Sequence, residues 1–113
     1  MSPITTHVLD TARGKPARNM RLVLMFEQNA NIKPILAERA TDDDGRVLNL
    51  VPPGSIVRGF YTLTFDTRGY FAATGQPVFY PEVQITFWVE QPSEHHHIPL
   101  LLSPFGYSTY RGS

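Results

Sequence analysis

The 113-residue chain contains no cysteine, which excludes a disulfide framework, a thiolate zinc site and a cysteine nucleophile. It has no charge surplus either, since ten lysines and arginines balance ten aspartates and glutamates. Nucleic acid and anionic membranes are therefore poor partners, because both select a basic excess. Balanced charge on a small domain weakly favours self-association. No apolar run approaches the roughly 20 residues that span a bilayer. The opening Met1-Ser2-Pro3-Ile4-Thr5-Thr6-His7 lacks the basic stretch and apolar segment of a signal peptide. Small secreted domains lean on disulfide staples; with none available, the expectation is a cytoplasmic protein or one stabilised by association. Long uninterrupted segments are also scarce. Ten prolines and eight glycines cut the chain into short pieces, which suits strands better than long helices.

What remains is an ordinary folded composition, with 42 % hydrophobic and 18 % charged residues, in a length that makes one domain, 1–113. Strand candidates are Ile4 to Asp10, Arg21 to Glu27, Ile35 to Ala40, Phe60 to Asp66, Val83 to Val89, Ile98 to Leu102 and Tyr107 to Arg111. Turn chemistry separates them at Arg13-Gly14-Lys15-Pro16, Thr41-Asp42-Asp43-Asp44-Gly45 and Pro52-Pro53-Gly54. Thr67 to Thr74 is the one short helix expected, capped by Asp66 or Thr67 and stopped by Gly75. The pattern implies an all-β, two-sheet antiparallel sandwich of seven to eight strands with one short helix.

Chemistry concentrates at the two ends. Three of the four histidines lie in His95-His96-His97, and the fourth is His7. On a strand, His95 and His97 project from one face and His96 from the other. Such a pair can begin a metal site, with His7, Glu94 or Asp10 completing it. The competing reading is a polar strand edge with hydrogen-bonded imidazoles, and no recognisable metal spacing is present. An internal triplet directly before an apolar strand is not the remnant of a purification tag. Without metal, His7 or His97 can take a proton from water and return it to a leaving nitrogen. Arg46 can hold an anionic or carbonyl-rich substrate, or an oxyanion, unless it serves only to neutralise the three aspartates before it. Ser113 lacks the Gly-x-Ser-x-Gly elbow of a serine nucleophile, so orienting water or ligand is its expected use. Tyr110 and Trp88 can stack on a flat ligand or simply pack.

Several segments resemble one family. Val8-Leu9-Asp10 with Gly14-x-Pro16-Ala17 is similar to the N-terminal signature of the transthyretin fold. Gly59-x-Tyr61, Phe65-Asp66-Thr67, Tyr70-Phe71 and Phe79-Tyr80-Pro81-Glu82-Val83 resemble its middle strand, helix and following segment. The likeness covers nearly the whole chain. Within the family, transthyretins carry thyroid hormone, while the transthyretin-related 5-hydroxyisourate hydrolases open a ring of the first product of urate oxidation. Tyr110-Arg111-Gly112-Ser113 resembles the hydrolase hallmark, as do His7 (lysine in the carriers), Arg46 after Asp-Gly, and His95-x-His97-Ile98-Pro99. Tyrosine is common in the hydrolases where this chain has His96. The resemblance implies hydrolase activity rather than hormone carriage, no metal or organic cofactor, and a homotetramer with active sites in the channel between dimers. It further implies a catalytic set of His7, Arg46, His97 and Ser113, with His95, Tyr110 and Arg111 binding substrate.

Overall fold

Alternation along Gly59–Phe65 turns Tyr61, Leu63 and Phe65 to one face, and all three are at most 1 % exposed. The same period-two logic runs through the computed structural model, which describes residues 2–113. Its elements are β1 (Ile4–Asp10), β2 (Lys15–Pro16), β3 (Arg21–Phe26), β4 (Ile35–Ala40), β5 (Arg46–Val47), β6 (Gly59–Phe65), α1 (Thr67–Ala73), β7 (Val83–Val89), β8 (His96–Ser103) and β9 (Gly106–Thr109). One sheet has the order β2-β1-β8-β9, with β5 also paired to β1; the other has the order β4-β3-β6-β7. Ile4 and Val8 of β1 and Leu100 and Leu102 of β8 are buried in one core with Leu22 and Leu24 of β3 and Leu63 and Phe65 of β6. The two-sheet sandwich with one short helix is thus as expected from the pattern.

Two features depart from that expectation. The sandwich is not wholly antiparallel, because β1 and β8 run parallel along their shared length, from Ile4 opposite His96 to Asp10 opposite Leu102. Parallel neighbours require a crossover, and here the chain visits the whole second sheet between them. Two very short strands also appear: β2 occupies a segment that reads as a turn, and β5 directly follows another. Both pair with β1, β2 against Leu9 and Asp10 and β5 against Thr6 and His7. Two residues are too few to show a period, so tertiary pairing alone defines them.

The helix begins as its sequence indicates. Asp66 caps it by accepting from Gly69 N at 3.0 Å, and Gly75 follows its end at φ 69°. Its Tyr70 hydroxyl donates to Asp10 Oδ2 at 2.6 Å, fastening α1 to the end of β1. Among the described residues no helix is long and apolar enough to cross a membrane.

Candidate active site

Strand β1 alternates between core and outer face: Ile4, Thr6, Val8 and Asp10 point inward, leaving Thr5, His7 and Leu9 on the outside of the sheet. Thr5 lies directly opposite His97 in the β1–β8 ladder, and His7 directly opposite Arg46 in the β1–β5 ladder. Three segments far apart in sequence therefore bring two imidazoles and a guanidinium to one outer face. The rigid centre of a sheet carries them, which suits a site that must hold geometry.

The Asp42–Arg46 turn places Arg46. Asp42 Oδ1 accepts from Asp44 N and from Arg46 N, each at 2.9 Å, and Gly45 supplies φ 75°. A side chain at Gly45 would also collide with the Val8 carbonyl, so the turn lies flat on β1 only with glycine there. The turn then grips β1 twice: Gly45 O accepts from Val8 N at 2.7 Å, and Asp44 O accepts from His7 Nε2 at 2.9 Å. A carbonyl can only accept, so Nε2 carries the His7 proton and Nδ1 holds the free lone pair of the neutral ring. Among the described residues the one ion pair within 4.0 Å joins Arg58 to Glu90. Arg46 thus does not spend its charge on the aspartates of its own turn.

His95 and His97 do share a side, with ring centroids 6.1 Å apart, and both converge on one hydroxyl. Thr5 Oγ1 lies 2.8 Å from His95 Nε2 and 2.7 Å from His97 Nδ1. Burial lowers the His97 pKa, and the charges of His95, His7 and Arg46 lower it further, so the ring is neutral at neutral pH. His96 faces the core, 4 % exposed, apart from this cluster. The carboxylates considered as metal ligands do not join either. Asp10 points inward and accepts from Tyr70, Gln76 and the Arg13 backbone. Among the described residues no group of three or more His, Asp or Glu side chains comes together in a way that could hold a metal ion.

The segment after β9 returns to this face. Expected as strand up to Arg111, it leaves regular pairing after Thr109, yet Gly112 still meets His97 in the register set by Thr109 and Leu100. In that register Tyr110 falls opposite Pro99, whose nitrogen has no proton to donate, and the Pro99 carbonyl takes the Thr109 hydroxyl at 2.6 Å. Arg111 reaches the His95 carbonyl at 3.3 Å, and Gly112 N donates to His97 O at 2.8 Å. Tyr110 is 58 % exposed and Ser113 is exposed beside it; among the described residues neither hydrogen-bonds a histidine ring. The structure thus unites His7, Arg46, His95 and His97 with Arg111, and leaves Tyr110 and Ser113 at the margin. Thr5, Gly45 and Gly112 were not read as site residues, although Thr5 stands two positions before His7 on the same face of a strand.

A sandwich that gathers imidazoles and a guanidinium on the outside of one sheet is chemically equipped for proton transfer beside a charge-stabilising cation. The chain belongs to the HIUase/Transthyretin family, which it matches over residues 4–112. It is 45 % identical over 113 residues to the 5-hydroxyisourate hydrolase of Mus musculus, covering 99 % of this chain and 96 % of that protein. The structure of Klebsiella pneumoniae 5-hydroxyisourate hydrolase matches with a TM-score of 0.86 at 34 % identity, over 100 % of both chains. Sea bream transthyretin in complex with thyroxine matches with a TM-score of 0.91 at 28 % identity, covering 98 % of this chain and 95 % of that one. The backbone is common to hydrolase and hormone binder, so fold alone does not choose between them.

Proposed function

We propose that the chain is an enzyme that hydrolyses 5-hydroxyisourate, opening its cyclic amide between C6 and N1, on the outer face of the β5–β1–β8–β9 sheet. The pairing of His7 with Arg46 and of Thr5 with His97 on adjacent rungs of β1 carries this reading. It gives a base, a fixed cation and a second imidazole within one patch. Identity to named hydrolases at full length supports it over a carrier function.

In this mechanism the turn carbonyl of Asp44 holds the His7 tautomer, so that Nδ1 takes the proton of the attacking water. Arg46, across the ladder from His7, favours the hydroxide and then the oxyanion that forms on the attacked carbonyl. His97, neutral and carrying one ring proton, donates a hydrogen bond to the leaving nitrogen and protonates it as the ring regains a proton at its other nitrogen. His95, Tyr110 and Arg111 line the substrate side, and Ser113 orients ligand or water. No metal or organic cofactor enters these steps.

The proposed assembly is a cytoplasmic homotetramer with the sites in a channel between dimers. Two observations support it. Each sheet ends in an edge strand, β7 or β9, whose outer backbone groups no strand among the described residues pairs. Large apolar side chains also stand exposed, Trp88 at 45 %, Tyr107 at 45 % and Phe105 at 67 %. A channel would exclude water from a patch that is open on a single chain, strengthening every charge interaction in it.

The test follows the absorbance of 5-hydroxyisourate after urate oxidation, with the protein added immediately. Accelerated decay that survives a chelator is expected, whereas a metal-dependent hydrolase would lose it. Tight thyroxine binding with no acceleration would favour the carrier function instead.

A further inference from the structure

Thr5 is only 1 % exposed although it lies on the outer face of its strand, and its hydroxyl touches two imidazoles. A hydroxyl has one proton to give and two lone pairs. With water excluded and no other partner for Oγ1 among the described residues, that proton goes to one of the two rings. Two arrangements satisfy all three groups. In the first, Thr5 donates to His97 Nδ1 and accepts from His95 Nε2–H, leaving His97 with its proton on Nε2. In the second, His97 Nδ1–H donates to Thr5, Thr5 donates to His95 Nε2, and His97 Nε2 becomes a lone pair. The direction of one O–H bond thus decides whether His97 offers the substrate a proton or a base.

We propose that Thr5 is a positioning residue that links His97 to His95 as a proton relay, so that the ring at the reacting nitrogen exchanges protons with solvent through a ring that is exposed. This rests on the hydrolase reading. The step balances: as His97 Nε2–H goes to the leaving nitrogen, Thr5 passes its proton to His97 Nδ1 and takes one from His95 Nε2, while water returns a proton to His95 Nδ1. The reverse sequence begins when His97 Nε2 takes up a proton, and it carries one proton out to water through His95. Hydrolysis of a cyclic amide to a carboxylate frees a proton whenever the leaving nitrogen is not basic, so an exit is needed on each turnover. Simultaneous protonation of both rings is disfavoured, because Thr5 would then accept twice with its own proton buried and unpaired. The charges facing the pair from neighbouring elements act in the same sense: His7 of β1, Arg46 of β5 and Arg111 beside His95. Glu94, next to His95, opposes them.

The experiment compares wild type, Thr5→Val and Thr5→Ser as full chains, by steady-state kinetics on 5-hydroxyisourate and by NMR of the histidine ring nitrogens across pH. Valine keeps the shape and removes the hydroxyl, so kcat is expected to fall about ten-fold or more with KM within about two-fold. Serine restores kcat. In Thr5→Val the two rings lose their shared hydrogen-bond partner, so their ring-nitrogen shifts and the coupling between them are expected to change, although the charge of one ring on the other remains. His95→Gln is the second variant, since it keeps a hydrogen-bonding group near Thr5 that cannot take up a proton. It is expected to lower kcat and change the pH profile even if Thr5→Val does not fold. Wild-type kcat in the valine variant, failure of serine to rescue, or ring titrations that ignore Thr5 would each overturn the relay. If wild type itself leaves 5-hydroxyisourate untouched, the hydrolase reading fails, and the ring titrations still decide whether Thr5 couples the pair.

Discussion

His97 and Gly112 face each other across a backbone bridge with no room between them. Gly112 N donates to His97 O at 2.8 Å, and a methyl group on Gly112 would stand 2.5 Å from His97 Cδ2. Alanine at this position must push the ring aside or lift the segment 110–113 from β8. Displacing a catalytic group by about 1 Å costs on the order of 100-fold in rate, so Gly112→Ala should lose about that much kcat. Few buried contacts depend on the segment, and the thermal midpoint should stay near wild type. Parallel kinetics and thermal unfolding check both halves; an unchanged kcat would detach the segment from the site.

Deleting Tyr110 to Ser113 removes the same bridge together with the Arg111 contact to the His95 carbonyl. The core residues of β8, Leu100 and Leu102, remain covered by both sheets. A folded protein without measurable turnover is therefore expected. Circular dichroism establishes the fold and 5-hydroxyisourate decay the loss. Normal hydrolysis by the shortened chain would remove Tyr110, Arg111 and Ser113 from the proposed site.

His7 and His97 hold different partners and should fail differently. His7→Ala removes the ring that Asp44 O orients, and His97→Ala removes the ring hydrogen-bonded to Thr5. Loss of general acid or base assistance is worth about 100-fold to 10,000-fold, so each variant should fall in that range. If both kept near-wild-type decay rates, acid–base catalysis by these rings would be wrong.

Much of this was legible in the sequence because strands with one buried face announce their period, as Phe60 to Asp66 and Val83 to Val89 do. The same alternation put His95 and His97 on one side. The pairing of His7 with Arg46 was not legible, because it depends on a two-residue strand that only pairing with β1 creates. Nor does a strand pattern show that β1 and β8 run parallel, and that pairing is what sets Thr5 against His97. Family resemblance supplied the proposed site members, while the hydroxyl and the two glycines beside them emerge only from the fold. Glycine at 45 and 112 reads in sequence as turn or terminus, and only close approach to Val8 and His97 explains it.

The two histidines of β8 should make stability depend on pH. Burial lowers His96, and the charge of Arg111 lowers it further against the pull of Glu94; burial lowers His97, with His95, His7 and Arg46 adding to it. As pH falls below the ordinary imidazole value of about 6.5, the unfolded chain takes up these protons before the folded one does. Stability is therefore complete above that pH and declines as the pH drops toward the folded values. Urea unfolding at about pH 7.5 and about pH 5.5 should show the decline, and a His96→Gln, His97→Gln double variant should flatten it. Equal slopes in both proteins would assign the pH dependence to other groups.

The helix is held to the sheet by a buried acid on the face of β1 opposite the proposed chemistry. Burial alone would raise the Asp10 carboxyl, but hydrogen bonds from Tyr70, Gln76 and Arg13 N, with the Arg13 charge, hold it below its usual value. Burial and the same carboxylate push Tyr70 up to about 12, so it remains the donor throughout the working range. Tyr70→Phe keeps the ring in the core and removes the 2.6 Å bond to Oδ2, leaving a buried charge short of one partner. Hydrogen bonds to charged groups contribute about 1.5–3 kcal/mol, so a loss of that size is expected at neutral pH. Below the ordinary carboxyl value of about 3.9 the unfolded chain protonates first, and the gap between wild type and variant should narrow as pH falls through the folded value. Urea titrations at several pH values measure both effects. Turnover per folded molecule should stay near wild type, because Asp10 and Tyr70 lie on the inner side of β1 and the proposed chemistry on the outer. A large drop in kcat with stability intact would place this pair in the catalytic machinery and contradict the division between the two faces.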